Sequence, residues 1–107
     1  MSPWRVTLTQ KAIADIRGIL AWTARRFGTA QRELYRQAVE QTLILLQQGP
    51  KVPGSRSAHP DRPAFRLLAL RGRSRHVLLF RENAPGEVVV LRVLHDAMDP
   101  DRHPTDP

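Results

Sequence analysis

The chain has 107 residues, a length that suits one domain with a small hydrophobic core. It has no cysteine, which excludes disulfides and thiolate metal sites, and no apolar run near the ~20 residues that a membrane-spanning helix needs. The formal net charge is +7, from 17 Lys and Arg against 10 Asp and Glu. This charge favours nucleic acid or an acidic protein as the partner, although the arginine bias of a GC-rich genome would give the same excess. The N-terminus lacks the pattern of a signal peptide, so we expect a cytoplasmic protein without a membrane partner.

The first half of the chain predicts a short strand followed by a helical hairpin. Alternating apolar and polar residues indicate a strand within residues 1–8. Thr9 is a typical N-cap, Gly28 a typical helix stop, and Thr29 the expected cap of a second helix that runs to about residue 48. The hairpin therefore spans residues 9–48. The first helix has an apolar stripe at helical spacing, made of Ile13, Ile16, Leu20, Thr23 and Phe27.

The second half predicts a loop, three strands and a tail within the same single domain, residues 1–107. Proline, glycine and polar residues indicate a loop over 49–64, and alternation with short turns indicates a three-stranded meander over 65–95. Residues 96–107 form a polar tail. The order β-α-α-β-β-β indicates an α+β fold, an antiparallel sheet with the helical hairpin packed on one face.

The last strand carries two residues that do not suit a plain core strand, Arg92 and His95. By simple alternation Arg92 shares a face with Val88 and Val90, and His95 lies on the other face. Across the meander the basic residues are Arg66, Arg73, Arg75, His76, Arg81, Arg92 and His95. Such a set could clamp RNA and supply a general acid or base. The alternative is a row of solvated arginines, with Arg92 paired to a carboxylate such as Asp99.

Other kinds of chemistry have weaker signals. His95, Asp99 and His103 have the spacing of metal ligands on a helix, but Pro100 argues against a helix there, so we expect a structural turn and no metal. The chain has no glycine-rich phosphate loop, and we expect no cofactor. Three serines are candidate nucleophiles, but none lies on a recognisable elbow or beside a base: Ser55, Ser57 and Ser74.

These residues resemble the RelE/ParE superfamily of toxins from type II toxin–antitoxin systems, over nearly the whole chain. The first helix is similar through Leu8-Thr9, Ala12, Asp15 and Ile19. The more specific likeness, to the ParE branch, lies in residues 74–81, in the strand 90–95 and in Met98-Asp99 with Arg102-His103. Phe80 stands where that branch often has tyrosine, and Ala97 where a basic residue is common.

The resemblance implies a growth-inhibiting toxin that poisons DNA gyrase. The target-binding residues would be Arg75, His76, Arg81, Arg92, His95 and Met98. An alternative is a RelE-like nuclease that cuts mRNA on the ribosome, with His95 as base, Arg66 and Arg92 stabilising charge, and Arg81 holding a phosphate. RelE-type nucleases also use a C-terminal tyrosine, whereas the one tyrosine here, Tyr35, lies in the second helix. A second alternative is an inactive homologue that only binds its antitoxin.

The same resemblance implies an acidic, ParD-like antitoxin whose C-terminal segment wraps the toxin. We expect it to sit on the helical hairpin, where an exposed apolar patch would mark the interface. The expected contacts are Ile16, Ile19, Leu20, Trp22, Leu34 and Tyr35. Trp22 as an ordinary core residue is the competing interpretation.

Overall fold

The computed structural model describes residues 3–72 and 75–95, and it has two helices on one face of a five-stranded sheet. The elements are β1 (Arg5–Leu8), α1 (Gln10–Phe27), α2 (Thr29–Leu45), β2 (Arg56–His59), β3 (Arg62–Ala69), β4 (His76–Ala84) and β5 (Glu87–His95). A 3₁₀ turn, Leu46–Gln48, follows α2. The predicted α+β class and the helical hairpin are confirmed. In this part of the chain no helix is long and apolar enough to cross a bilayer.

The sheet is mixed, which corrects the expected antiparallel sheet. Its order is β1-β5-β4-β3-β2, and β1 runs parallel to β5, while the other neighbours are antiparallel. The backbone N–H of Arg5 donates to the carbonyl of Gly86 (2.8 Å), immediately before β5, so both strands start at the same end of the sheet. Alternation predicts that β1 is a strand but carries no information about its direction.

The predicted loop 49–64 is also wrong in part, because it contains β2 and the start of β3. Ser57 pairs with Arg66 and His59 with Arg62, with a register shift between them, and the side chain of Ala58 is buried. Prolines flank these residues, and an edge strand tolerates them because one side of it needs no hydrogen bonds. Backbone pairing at an edge has little dependence on apolar side chains, which is why the composition did not reveal it.

The main core lies between the helices and the sheet. Its fully buried side chains include Leu46, Leu78, Phe80, Val88 and Val90. A smaller cluster lies on the opposite face of the sheet and has buried members Ala58, Leu67 and Val77.

A bulge in β5 changes which residues face the helices. Leu79 pairs with Arg92 and Phe80 with Val90, so Leu91 is an extra residue. As a result Val93 joins Val88 and Val90 in the core under the helices, despite its odd spacing from them. His95, two residues further on, therefore lies on the same side as Val88 and Val90, and the face assignment made from simple alternation is wrong.

Two of the three predicted helix-terminus signals are confirmed. The Thr9 hydroxyl oxygen accepts from the N–H of Ala12 (3.0 Å), and Gly28, with φ of 96°, ends α1. Thr29, in contrast, is the first residue of α2 and not its cap. Gly28 occupies the cap position, and no side chain caps this helix.

We expect Thr9→Ala to lower the free energy of unfolding by about 1–2 kcal/mol. Thr9 caps α1 and its hydroxyl also donates to the carbonyl of Leu91 in the bulge (2.7 Å), so alanine removes both bonds. Urea unfolding measures the change. Thr9→Ser keeps the hydroxyl and should retain most of the stability. Thr29→Ala should stay within about 0.5 kcal/mol of wild type; an equal loss in both alanine variants would contradict the capping role.

Candidate functional site

An open groove of about 1060 Å³ runs along the two helices to the ends of β4 and β5. At one end it is strongly apolar, because Trp22, Phe27 and Leu34 line it with 51%, 60% and 58% of their surface exposed. Trp22 and Phe27 meet edge to face, with ring centroids 5.6 Å apart. Large apolar side chains at this exposure are typical of a surface that binds another protein.

The other end of the groove is basic. It is lined by Arg71, Arg75, His76 and His95, which come from the β3–β4 connection and from the facing ends of β4 and β5. His76 lies opposite His95 in the strand register, and their rings meet edge to face at 5.3 Å. The ring of Tyr35 contacts His76 from α2 at 5.5 Å.

These edge-to-face ring contacts join α2 to the sheet, and they affect the charge of the groove. Burial, and then the neighbouring His95, hold the pKa of His76 below its ordinary value. His76 is therefore neutral near pH 7, whereas the exposed guanidinium groups of Arg71 and Arg75 give this end permanent positive charge.

The structure brings together most of the residues predicted to bind an antitoxin. Ile19, Trp22, Leu34 and Tyr35 line the groove. Ile16 instead packs against the main core, and Leu20 is half-buried outside the groove lining. Trp22 is not a core residue, so that competing interpretation is wrong.

The predicted target-binding residues do not form one cluster. Arg75, His76 and His95 line the groove, and so share a surface with the predicted antitoxin contacts. Arg81 lies on the other face of the sheet, where its guanidinium carbon is 5.8 Å from the ring centroid of Phe65. Met98 lies outside the described residues, as do Arg73, Ser74, Asp99 and His103.

Arg92 is committed to an ion pair within the chain. Its Nε donates to Asp15 Oδ2 (2.8 Å) and its Nη2 to Asp15 Oδ1 (3.0 Å). Asp15 Oδ2 also accepts from the backbone N–H of Val93 (3.0 Å). Burial alone would raise the pKa of Asp15, but the Arg92 and Val93 hydrogen bonds and the Arg92 charge outweigh it, and the pKa is lowered. The carboxylate that the sequence suggested for Arg92 was Asp99, whereas the one found is Asp15.

The residues that a nuclease mechanism needs are dispersed. Arg66 donates to the carbonyl of Pro50 (2.9 Å) and to the Ser55 hydroxyl (2.9 Å), which fastens the 49–55 loop to the sheet. Arg81 is five residues from His76 along β4, about 17 Å at the usual rise of a strand. Since His95 lies beside His76, neither Arg66 nor Arg81 converges on it.

Among the residues that the structure describes, the geometry does not support the other candidate chemistries. Ser55 is held by Arg66 and by its own bond to Pro50, and Ser57 lies in the edge strand β2. Within residues 3–72 and 75–95, no group of three or more His, Asp or Glu side chains is placed to hold a metal ion.

Comparison with known proteins decides the family. The sequence matches, over residues 6–100, the model of a family described as the ParE toxin of the parDE type II toxin–antitoxin system. The chain belongs to the ParE toxin family. It is 30% identical over 99 residues to Toxin ParE1 from two strains of Mycobacterium tuberculosis, an alignment that covers 92% of this chain and 96% of the relative. It is thus the toxin component of a type II toxin–antitoxin system.

Two solved structures show the same fold. One is of a chromosomal ParDE system from P. aeruginosa, with a TM-score of 0.72 and 24% identity over 86% of this chain and 95% of that one. The other is of a RelBE toxin–antitoxin complex from Mycobacterium tuberculosis, with a TM-score of 0.61 and 21% identity over 89% and 93% of the two chains.

Three features of the groove were not predicted from the sequence. Phe27 belongs to the apolar stripe of α1, but it is the last residue of the helix and 60% of its surface is exposed. Arg71 lies in the connection between β3 and β4, where nothing in the sequence marks it as a groove residue. Asp15 is part of the family likeness, but the sequence does not identify it as the partner of Arg92. A lone carboxylate in an apolar stretch of helix, with an arginine in an apolar strand, was the available signal.

We expect Asp15→Asn to lower the free energy of unfolding by about 1–2 kcal/mol at pH 7. The loss is limited to this range because solvent around the exposed part of Arg92 weakens the ion pair in the wild type. Because the folded pKa of Asp15 lies below its ordinary 3.8, this stabilisation is complete above that value and is lost as the pH falls through the folded pKa. Urea unfolding between pH 7 and 2.5 should show the two proteins converging below pH 3.8. The control is Asp61→Asn, because the side chain of Asp61 is 90% exposed. A difference that is equally large at the lowest pH would contradict the ion-pair account.

Proposed function

We propose that this toxin inhibits growth by binding DNA gyrase without catalysing a reaction, and that an acidic antitoxin neutralises it by filling the groove. The observation that carries the first part is the dispersal of Arg66, Arg81, Arg92 and His95. Acid–base cleavage of RNA needs these groups around one phosphate, within hydrogen-bond reach of it. Arg66 and Arg92 are instead held by the loop and by Asp15.

The gyrase target itself rests on the resemblance to the ParE branch. The groove end that carries Arg75, His76 and His95 is the surface that we propose for target contact, because it joins positive charge to aromatic rings. Arg92 leaves the proposed contact set, since its guanidinium is engaged by Asp15. Met98 stays in this set as a prediction from the sequence.

The groove also suits an acidic antitoxin. Trp22, Phe27 and Leu34 offer apolar contact area, and Arg71 and Arg75 attract negative charge at the other end. The solved ParDE and RelBE structures concern toxin–antitoxin pairs. An antitoxin in this groove would cover Arg75, His76 and His95, so that binding and neutralisation would be the same event.

Purified toxin should inhibit supercoiling by bacterial gyrase and cause cleaved DNA–gyrase complexes to accumulate. A cell-free translation reaction with primer extension serves as the counter-assay, and we expect no toxin-dependent cuts in mRNA. Cuts at the ribosome together with unaffected gyrase would replace this proposal with the nuclease. If gyrase, translation and growth are all unaffected while the antitoxin binds, the chain is an inactive homologue.

Trp22→Ala should weaken antitoxin binding by about 2 kcal/mol or more, the usual effect of removing a central aromatic contact. Isothermal titration with the antitoxin encoded beside the toxin gene measures the loss. Ile44→Ala is the matched control, because Ile44 is similarly exposed (61%) on α2 but does not line the groove. Equal affinity of wild type and Trp22→Ala would exclude the groove as the antitoxin site.

A further inference from the structure

Gly18 lies in the middle of α1 and lines the groove. Glycine inside a helix is unfavourable relative to alanine, by up to about a factor of five in the folding equilibrium, because it restricts a freer backbone. Such a glycine is expected to persist only where the absence of a side chain is itself required. Gly18 therefore needs a physical reason.

Nothing within the described chain supplies that reason. A Cβ atom added at Gly18 would meet no atom within 4 Å, and Gly18 is not one of the glycines with positive φ. Gly49 shows the contrast. It has a φ of 109°, and a Cβ there would lie 3.0 Å from Nε1 of Trp4, so its own fold requires glycine.

The surroundings of Gly18 form a notch in the wall of the groove. Ala14 lies one turn before it and Trp22 one turn after it, and both line the groove. Two small residues one turn apart expose the helix backbone, while Trp22 projects beyond them. Small residues at this spacing let a second backbone approach a helix closely.

We propose that Gly18 is a specificity-determining residue, at which the backbone of the antitoxin passes in direct contact with α1. The inference rests on the proposed antitoxin site and adds the point of closest approach. A side chain at position 18 would fill the notch and push the antitoxin away from Trp22 and Tyr35, both of which line the same groove.

The charges of the groove indicate an acidic segment as the occupant. Asp15 also lines the groove, but its negative charge is balanced by Arg92, and its Oδ2 atom also accepts a hydrogen bond from the N–H of Val93. The exposed guanidinium groups of Arg71 and Arg75 lie at the strand end of the groove. An acidic chain entering there and crossing Gly18 toward Trp22 would meet positive charge first and apolar surface next.

Gly18→Ala and Gly18→Leu test this in the full-length toxin. Gly18→Ala should raise the urea midpoint of the free toxin and lower its affinity for the antitoxin encoded beside its gene about tenfold, with a larger loss for Gly18→Leu. The matched control is Ala21→Leu, an exposed residue of α1 outside the groove lining, which should bind within twofold of wild type. Higher stability with weaker binding is a combination that a purely structural role of Gly18 would not produce.

The other outcomes each overturn a different statement. If wild type and Gly18→Leu bind equally, close approach at Gly18 is wrong and the groove proposal stands. If Gly18→Ala destabilises the free toxin, Gly18 serves the fold and the inference fails. If wild type forms no complex, the antitoxin proposal and this inference both fail. If Gly18→Leu alters the oligomeric state of the free toxin in light scattering, the groove holds a second copy of the chain.

Discussion

The carboxylate of Asp15 fixes how the helices sit on the sheet. It accepts three hydrogen bonds from β5, two from the Arg92 guanidinium and one from the backbone of Val93. Thr9, at the start of the same helix, is bonded to the Leu91 carbonyl. These contacts reach β5 at the bulged residue Leu91 and just beyond it, past Val90, the last residue of β5 that pairs with β1. Helix α1 thus supplies polar partners at the place where the sheet has lost some of its own.

This attachment determines the geometry of the groove. Helix α1 forms one wall of it, and β5 ends in it with His95. The bulge turns Val93 and His95 to the helix side, which places His95 against His76 and so next to Tyr35 of α2. Without the extra residue, the same sequence would direct His95 to the opposite face, and the basic end of the groove would lose one of its two rings.

Local signals in the sequence predicted the helical hairpin, the Thr9 cap, the Gly28 stop and the position of β5, because each depends on residues close together in the chain. The features that were not predicted depend on pairing that side-chain patterns do not reveal. The parallel direction of β1 and the Asp15–Arg92 pair join segments that are far apart in sequence. The edge strand β2 and the bulge depend on backbone pairing with a neighbouring strand, which composition and alternation do not specify. The groove was predicted in part: the residue types of Trp22 and Tyr35 suggested an interface, but its basic end required the register of β4 and β5.

The position of the basic residues also bears on how a toxin of this kind could be controlled. Two of the arginines that a nuclease mechanism would need are used by the fold, Arg92 by its bonds to α1 and Arg66 by its bonds to the 49–55 loop. The exposed arginines on this side, Arg71 and Arg75, lie at the opposite end of the same groove from its apolar residues. If the target and the antitoxin both use that groove, the antitoxin excludes the target by occupying the same space. Such control acts by steric exclusion and needs no second conformation of the toxin. A conformational mechanism, in contrast, would need two states of the toxin that bind the antitoxin differently.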